Sequence, residues 1–307
     1  MDWISLHIHF HGELDALLLD AVRPLLDELR AAGDVQAAFF IRYWNGGQHL
    51  RLRLMPGDGR SAESLTALSS ERLGRYVAAH AEVAPSPEKY RREADLMSAF
   101  RERLTRDEPL TAAHLELELP YRADQAVVVA SYAFDEERFG GPAAREIAEE
   151  HFCRSSELAL DLLERTRGDR PARLTRALVL MSAAACALAL TDQQAFALFE
   201  RYCAVGDVVL GQSHADYPAL LRLPRPEEQW ETIEGAVKAA QGGPGAAWRA
   251  HLGDCVRRLH DLDLATRADQ ILLDYVHLLN NRLGIPLMQE LYLSHLLARW
   301  YGRTEGR

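Results

Sequence analysis

The feature of this 307-residue sequence that most limits the possible folds is the stretch FIRYWNGGQHLRLRL, residues 40–54. Aromatic and β-branched residues precede an Asn-Gly-Gly turn at residues 45–47, and leucines then alternate with polar residues, which predicts a β-hairpin. Because residues two apart on a strand point the same way, His49, Arg51 and Arg53 share one face. The hairpin is therefore predicted to have one leucine face and one cationic face.

The cationic face has two interpretations. It is either the solvated outer face of an antiparallel sheet or an anion-binding wall, since neighbouring guanidiniums repel unless an anion lies between them. Acidic residues outnumber basic ones by 45 to 35, for a net charge of -10. This balance argues against binding to nucleic acid or to an anionic membrane surface. A cluster of arginines in such an acidic chain is expected to be local and specific.

The first half of the sequence predicts a sheet with few helices. Residues 3–10 alternate as a strand, and His7, His9 and the following His11 continue its polar side. These three alternating histidines could bind a metal, but a polar sheet face is favoured because no carboxylate or cysteine completes the set. A helix ending at Gly33, the hairpin, and a helix from about Ser61 to Ala84 follow. Residues 84–109 are charged and predicted to be helical, and a further strand precedes a Gly-Gly-Pro turn.

From Ala143 onward the pattern is helical almost throughout, apart from residues 223–245, which are interpreted as mobile connections around a short helix. The most apolar run, about fourteen residues long, is short of the roughly 20 that span a bilayer and predicts a buried helix. The predicted fold is a single α+β domain over residues 1–307, with an antiparallel sheet-rich N-terminal half packed against a helical C-terminal half.

Composition and motifs narrow the function. The four cysteines are widely spaced without a C-x-x-C pair, which indicates neither a zinc site nor a disulfide framework and favours a reducing cytoplasm. The N-terminal strand pattern does not match a signal peptide. Common hydrolase, metalloprotease and nucleotide-binding motifs are absent from the sequence. We therefore expect neither a metal nor another cofactor.

Two further stretches concentrate polar groups. Arg138 precedes paired glycines, whose sharp bend could bring it over the sheet, although a loop arginine that caps the next helix is the simpler interpretation. His277 and Asn281 lie four residues apart, hence on one helical face, with Arg282 adjacent. A lone helical histidine is more often a structural residue than a catalyst, so both interpretations stay open.

Five blocks of this sequence occur in a recognisable order: WISLHIHF, FFIRYWNGGQHLRLRL, YAFDEERFGG, HFCRSSELALDLL and HLLNNRLGIPLMQELYL. Together they resemble the C-terminal domain of class I lantibiotic dehydratases, in the stand-alone form of thiopeptide-type bacteriocin biosynthesis proteins. The resemblance covers almost the whole chain. It implies the fold that elimination domains share with thiopeptide pyridine synthases. It also implies a cytoplasmic enzyme that acts on a ribosomally made precursor peptide.

The resemblance implies one of two reactions. An elimination domain is a lyase that expels glutamate from a glutamylated Ser or Thr, leaving dehydroalanine or dehydrobutyrine, after a separate tRNA-dependent protein has attached the glutamate. A pyridine synthase instead joins two dehydroalanines in a formal [4+2] cycloaddition and releases the leader peptide. We expect elimination, because this chain keeps the charged residues of eliminases. It is too short to include the glutamylation domain, so that activity would belong to another polypeptide. A non-catalytic peptide-binding scaffold is the third possibility.

The resemblance also implies residue roles. The eliminases' catalytic residues are matched here by Arg51, Arg53, Arg138 and His277, although Leu278 stands where the family often has Met. All four are expected to converge on one cavity. The neighbouring residues expected to bind the substrate are Arg42, Tyr43, His49, Asn281 and Arg282. No direct contact with nucleic acid or membrane is expected.

Overall fold

A computed structural model describes residues 3–44, 46–82, 88, 122, 125–210, 213–243 and 245–303. Within these residues the N-terminal half forms a four-stranded antiparallel sheet with the order β2-β3-β1-β4. The strands are β1 (Ile4–His9), β2 (Val35–Tyr43), β3 (His49–Pro56) and β4 (Val127–Val129). The helix expected at residues 84–109 lies outside the described residues, apart from Glu88.

The predicted hairpin and its two faces are confirmed. Strand β2 pairs with β3, and Gly46 and Gly47 of the connection have φ values of 84° and 104°, which glycine adopts at little cost. On β3 the three alternating leucines have no exposed surface. They form one face of the sheet together with Ile8, which pairs with Leu50. The polar residues of β1 and β3 pair with one another on the other face.

Helices of the N-terminal half follow the predicted order, with one boundary corrected. The first is α1 (Leu14–Leu17), which continues through a π-helical turn (Leu18–Val22) into α2 (Arg23–Ala31). Helix α3 (Ala62–Ala79) begins where the Ser61 side chain accepts a hydrogen bond from the Ser64 amide. It ends five residues before the predicted Ala84, because His80 leaves the helical conformation and its ring stacks on Tyr76.

The helical C-terminal half is also confirmed. Its helices are α4 (Arg145–Arg165), α5 (Arg170–Ala187), α6 (Asp192–Leu210), α7 (Tyr217–Leu220), α8 (Trp230–Gly242), α9 (Ala246–Asp261), α10 (Ala268–Arg282) and α11 (Leu287–Tyr301). The apolar run lies in α5, which is buried along residues 177–185 as expected. Residues 223–245 are more regular than predicted, since α8 accounts for thirteen of them. Among the described helices, none combines the length and apolar character needed to cross a bilayer.

Side chains from two helices join the halves at strand β2, the edge of the described sheet. The Phe40 amide donates to Ser156 Oγ of α4 at 3.1 Å, and the Arg42 amide donates to Asn281 Oδ1 of α10 at 2.9 Å. Asn281 Nδ2 donates in turn to the Arg42 carbonyl at 3.0 Å. These bonds satisfy backbone groups that an edge strand leaves unpaired. They place α10 directly beside the cationic hairpin.

Asn281→Ala is expected to destabilise the fold by about 1–3 kcal/mol, because both backbone groups of Arg42 lose their partner in a partly buried position. Urea denaturation monitored by circular dichroism measures the change. Gln270→Ala, on the exposed side of the same helix, is the control and is expected to change stability by less than about 0.5 kcal/mol. Equal losses in the two variants would contradict this role for Asn281.

Candidate active site

The cationic face of β3 is an ordered set of stacked and hydrogen-bonded side chains. The Arg51 guanidinium lies 3.4 Å from the centre of the Tyr43 ring, and Arg51 Nε donates to His49 Nε2 at 3.3 Å. His49 Nδ1 lies 2.8 Å from the Gly47 carbonyl oxygen. Because a carbonyl oxygen only accepts, Nδ1 carries the imidazole hydrogen and Nε2 is the acceptor. Tyr43 and His49 therefore hold Arg51 in a defined position.

Much of this face is buried, so the interpretation as a solvated outer face is wrong for its central part. His49 and Arg53 are 0% and 6% exposed. Arg53 donates to the Leu52 carbonyl at 3.3 Å, and its Nη2 lies 3.4 Å from His7 Nε2 on the neighbouring strand. The Arg53 guanidinium also lies 5.5 Å from the centre of the Tyr132 ring, which follows β4. The chain after β4 therefore covers one end of the cationic face.

The positive charge of this face resides on its guanidiniums and not on His7. The His49 ring stacks on His7 and His9, with centroid distances of 5.2 and 4.6 Å. Burial, followed by the charges of Arg51 and Arg53, lowers the pKa of His7 to about 3. His7 is therefore neutral at physiological pH, because burial and the positive potential of the two arginines both disfavour another cation. The same potential favours an anion.

The Gly-Gly turn directs Arg138 toward helix α10. Gly140 and Gly141 have φ values of 93° and 86°, and a side chain at Gly140 would approach Leu264 Cδ1 to 2.8 Å. Arg138 Nε and Nη2 lie 2.8 and 2.6 Å from Asp274 Oδ1. Burial opposes the charged guanidinium, but the Asp274 carboxylate outweighs it and raises the pKa of Arg138. Arg138 thus contacts α10 through Asp274.

His277 is paired with a buried carboxylate. Its Nδ1 lies 3.0 Å from Glu290 Oε2, and Tyr202 donates its hydroxyl to Glu290 Oε1 at 2.6 Å. Glu290 is 1% exposed, whereas 35% of the His277 side chain is exposed. Burial and then the Glu290 carboxylate raise the pKa of Tyr202 well above its ordinary value, so the phenol stays a donor. With Nδ1 donating to the carboxylate, His277 Nε2 keeps a lone pair that can take a proton.

Helix α10 connects these groups. Asp274, His277 and Asn281 follow one another at spacings of three and four residues, which places them along one side of the helix. They contact Arg138, Glu290 and the end of β2, respectively. The helix thus brings Arg138 and His277 into one series of contacts beside the hairpin. That all four expected catalytic side chains line one cavity stays a prediction.

Two of the residues expected to bind substrate are held by structural contacts. Arg42 pairs with Leu50 across the sheet, so its side chain lies on the leucine face, where it donates to Asp15 Oδ1 at 2.6 Å and to the Arg282 carbonyl at 3.0 Å. Arg282 is 1% exposed and donates to Ser156 Oγ at 3.0 Å. Burial lowers its pKa to about 9. These contacts hold helices around the sheet, and a direct role in binding stays a prediction.

Three residues of the arrangement were missed in the sequence: Tyr202, Asp274 and Glu290. Glu290 had a recognisable signal, because it is an acidic residue within the apolar stretch PLMQELYL of α11. Acidic side chains are rarely buried unless a partner compensates their charge. Tyr202 had no recognisable signal in the sequence, since a tyrosine in an amphipathic helix is usually a packing residue.

A family model described as "Lantibiotic biosynthesis dehydratase C-term" matches residues 3–301. The chain belongs to this family. The membership confirms the resemblance that the ordered sequence blocks indicated. The family consists of enzymes that modify ribosomally made peptides, and membership alone does not distinguish elimination from cycloaddition. No curated protein matches the sequence.

Solved structures of three similar proteins share the fold. The pyridine synthase TbtD from thiomuracin biosynthesis has a TM-score of 0.72 at 21% identity, covering 100% of this chain and 99% of that one. TsrL has a TM-score of 0.68 at 19% identity, covering 100% and 96%. The tRNA-dependent lantibiotic dehydratase MibB from Microbispora sp. 107891 has a TM-score of 0.58 at 19% identity, covering 100% of this chain but 28% of that one. At these identities the likeness concerns the fold.

Proposed function

We propose that this protein eliminates glutamate from glutamylated Ser or Thr side chains of a ribosomally made precursor peptide. The observation that carries the proposal is the pair of guanidiniums on one face of β3, Arg51 and Arg53, whose positive charge adds to burial in lowering the pKa of the neighbouring His7. A glutamyl ester made from glutamyl-tRNA is joined through its α-carboxyl, so it presents one free side-chain carboxylate and releases the α-carboxylate as its ester bond breaks. Arginine is the side chain best suited to bind such planar anions.

In the proposed reaction each of the described groups has a separate role. His277 Nε2 removes the Cα proton of the modified residue, and Glu290, fixed by Tyr202, orients the imidazole and stabilises its charged form. The electron pair of the Cα–H bond forms the Cα=Cβ double bond, and the Cβ–O bond breaks with its electrons on the departing carboxylate. Arg51 binds the glutamate, with Arg53 and Arg138 stabilising the charge that develops.

The proposed substrate requires a partner. A separate tRNA-dependent protein would attach the glutamate before the precursor peptide reaches this enzyme. The modified residue alone offers too little surface for useful affinity, so we infer that a further part of the peptide docks as an extended strand or helix.

Pyridine formation is the second candidate, and the similarity to TbtD over 99% of that structure favours it. In that reaction two dehydroalanines of one peptide join, and the leader peptide leaves. Arg51 and His277 would then hold and protonate the amide oxygen that becomes part of the new ring.

One experiment separates the candidates. The purified protein receives a precursor already glutamylated by its partner and, separately, a precursor that already carries dehydroalanines. The expected result is loss of glutamic acid from the first substrate, seen by mass spectrometry, and no change in the second. Conversion of the second into a macrocycle with release of the leader, while the first is inert, would establish the pyridine synthase. Binding of both without conversion would indicate a scaffold.

A further inference from the structure

Three potential metal ligands from separate elements meet beside helix α6, and none belongs to the site described above. They are Glu200 of α6, His214 of the 3₁₀ turn His214–Asp216, and His295 of α11. One ligand atom from each lies within 4.8 Å of the other two. The centroids of the two imidazole rings are 5.1 Å apart.

The hydrogen bonds of His214 direct a lone pair into this group. Its Nδ1 lies 2.7 Å from Asp207 Oδ2, and since a carboxylate accepts, Nδ1 carries the hydrogen. Nε2 then faces Glu200 Oε2 at 3.7 Å, which is too long for a hydrogen bond. Two ligands of a tetrahedral zinc ion, at bond lengths of about 2.0–2.2 Å, lie about 3.4 Å apart. The observed spacing is close to that value.

His295 supplies an independent observation. It is 6% exposed, and its Nδ1 is buried without a hydrogen-bond partner among the described residues. A coordinated cation would account for the buried nitrogen, whose isolation is otherwise costly.

We propose that Glu200, His214 and His295 bind one divalent transition-metal ion, with zinc the best match to two imidazoles and a carboxylate. Glu200 is partly exposed, at 33% of its side chain, so water can reach a fourth coordination position. Asp207, which also accepts a hydrogen bond from the Tyr217 hydroxyl at 3.2 Å, orients His214 for coordination.

The position of the site suggests what the ion does. Helices α6 and α11 also carry Tyr202 and Glu290, which are hydrogen-bonded to each other and orient His277. An ion that joins α6, the turn after it and α11 fixes these helices relative to each other. The metal would thus stabilise the support of His277 without touching the substrate.

A second group of three, His151, His251 and Cys255, provides the competing site. It is buried, and its members already contact one another, with His151 Nδ1 3.1 Å and Cys255 Sγ 3.8 Å from His251 Nε2. It differs from the proposed site by containing a thiol. Cobalt bound to a thiolate gives a charge-transfer absorption that cobalt bound to nitrogen and oxygen does not, which distinguishes the two sites.

The test uses the whole protein after dialysis against a chelator. Isothermal titration with zinc is expected to show one ion bound per chain and a higher unfolding temperature in its presence. Asp207→Asn is expected to weaken binding about 10- to 100-fold, and Glu200→Gln and His295→Asn at least as much. His260→Ala, which removes an exposed histidine, is the control and should bind as the parent does.

The alternative results are equally distinct. Failure of the parent to bind zinc, or equal binding by Glu200→Gln and His295→Asn, would refute the site. A thiolate-to-cobalt absorption that disappears in Cys255→Ser would assign the bound ion to the buried cysteine cluster instead. Circular dichroism of each variant without metal shows whether it is folded. Because Glu200 is partly exposed, Glu200→Gln is expected to fold, so its zinc affinity can be measured even if a substitution of the buried His295 prevents folding.

Discussion

Arg51→Ala is expected to slow glutamate elimination by about tenfold to a hundredfold or more, with the glutamylated peptide accumulating. The substitution removes a charge-assisted contact with the glutamate carboxylate, worth about 1.5–3 kcal/mol, and more where water is excluded. Time-resolved mass spectrometry of the glutamylated precursor measures the loss. Arg51→Lys is expected to be intermediate, because it keeps the charge but not the bidentate geometry.

Two further measurements show whether the loss has the proposed cause. Arg75→Ala changes an arginine whose side chain is 70% exposed on α3 and is expected to leave the rate unchanged. The pKa of His7, followed by NMR, is expected to rise in Arg51→Ala because one of the neighbouring charges that lower it is removed. Elimination by Arg51→Ala at the parental rate, in a protein with this altered His7, would exclude Arg51 from glutamate binding.

His277→Ala is expected to slow elimination by about 10²- to 10⁴-fold, the usual contribution of a general base. Added imidazole should restore part of the rate, because it can occupy the space left by the side chain and take the proton. Glu290→Gln is expected to have a smaller effect on the rate, since it keeps the shape of the residue that orients His277 but removes its charge.

Isotopic substitution identifies the step that His277 serves. A precursor deuterated at Cα of the glutamylated residue should react more slowly with the parent enzyme if proton removal limits the rate. The control His260→Ala removes a histidine exposed on α9 and should retain activity. A His277→Ala protein that is folded, slow and unresponsive to imidazole would indicate a structural histidine, which was the alternative left open by the sequence.

Local pattern was sufficient for the sheet and for the arrangement of its faces. Period-two alternation sets which side of a strand each residue occupies, so His49, Arg51 and Arg53 could be assigned to one face before any partner strand was known. The glycines at residues 46 and 47 gave the turn for the same local reason. The end of α3, which lies at Ala79, was predicted too far along the chain, because residues 80–84 contain no glycine or proline and the first proline is Pro85.

The sequence by itself determined the strands, the helical second half, the family and the residues that carry charge. Tertiary structure decided which of those charges are buried and what they contact. Arg282 is enclosed between α10 and α4, and His277 is oriented by Glu290 and Tyr202 from two other helices. Periodicity fixes the direction of a side chain relative to its own strand or helix. The contacts between elements depend on how distant helices pack, and no local pattern specifies that.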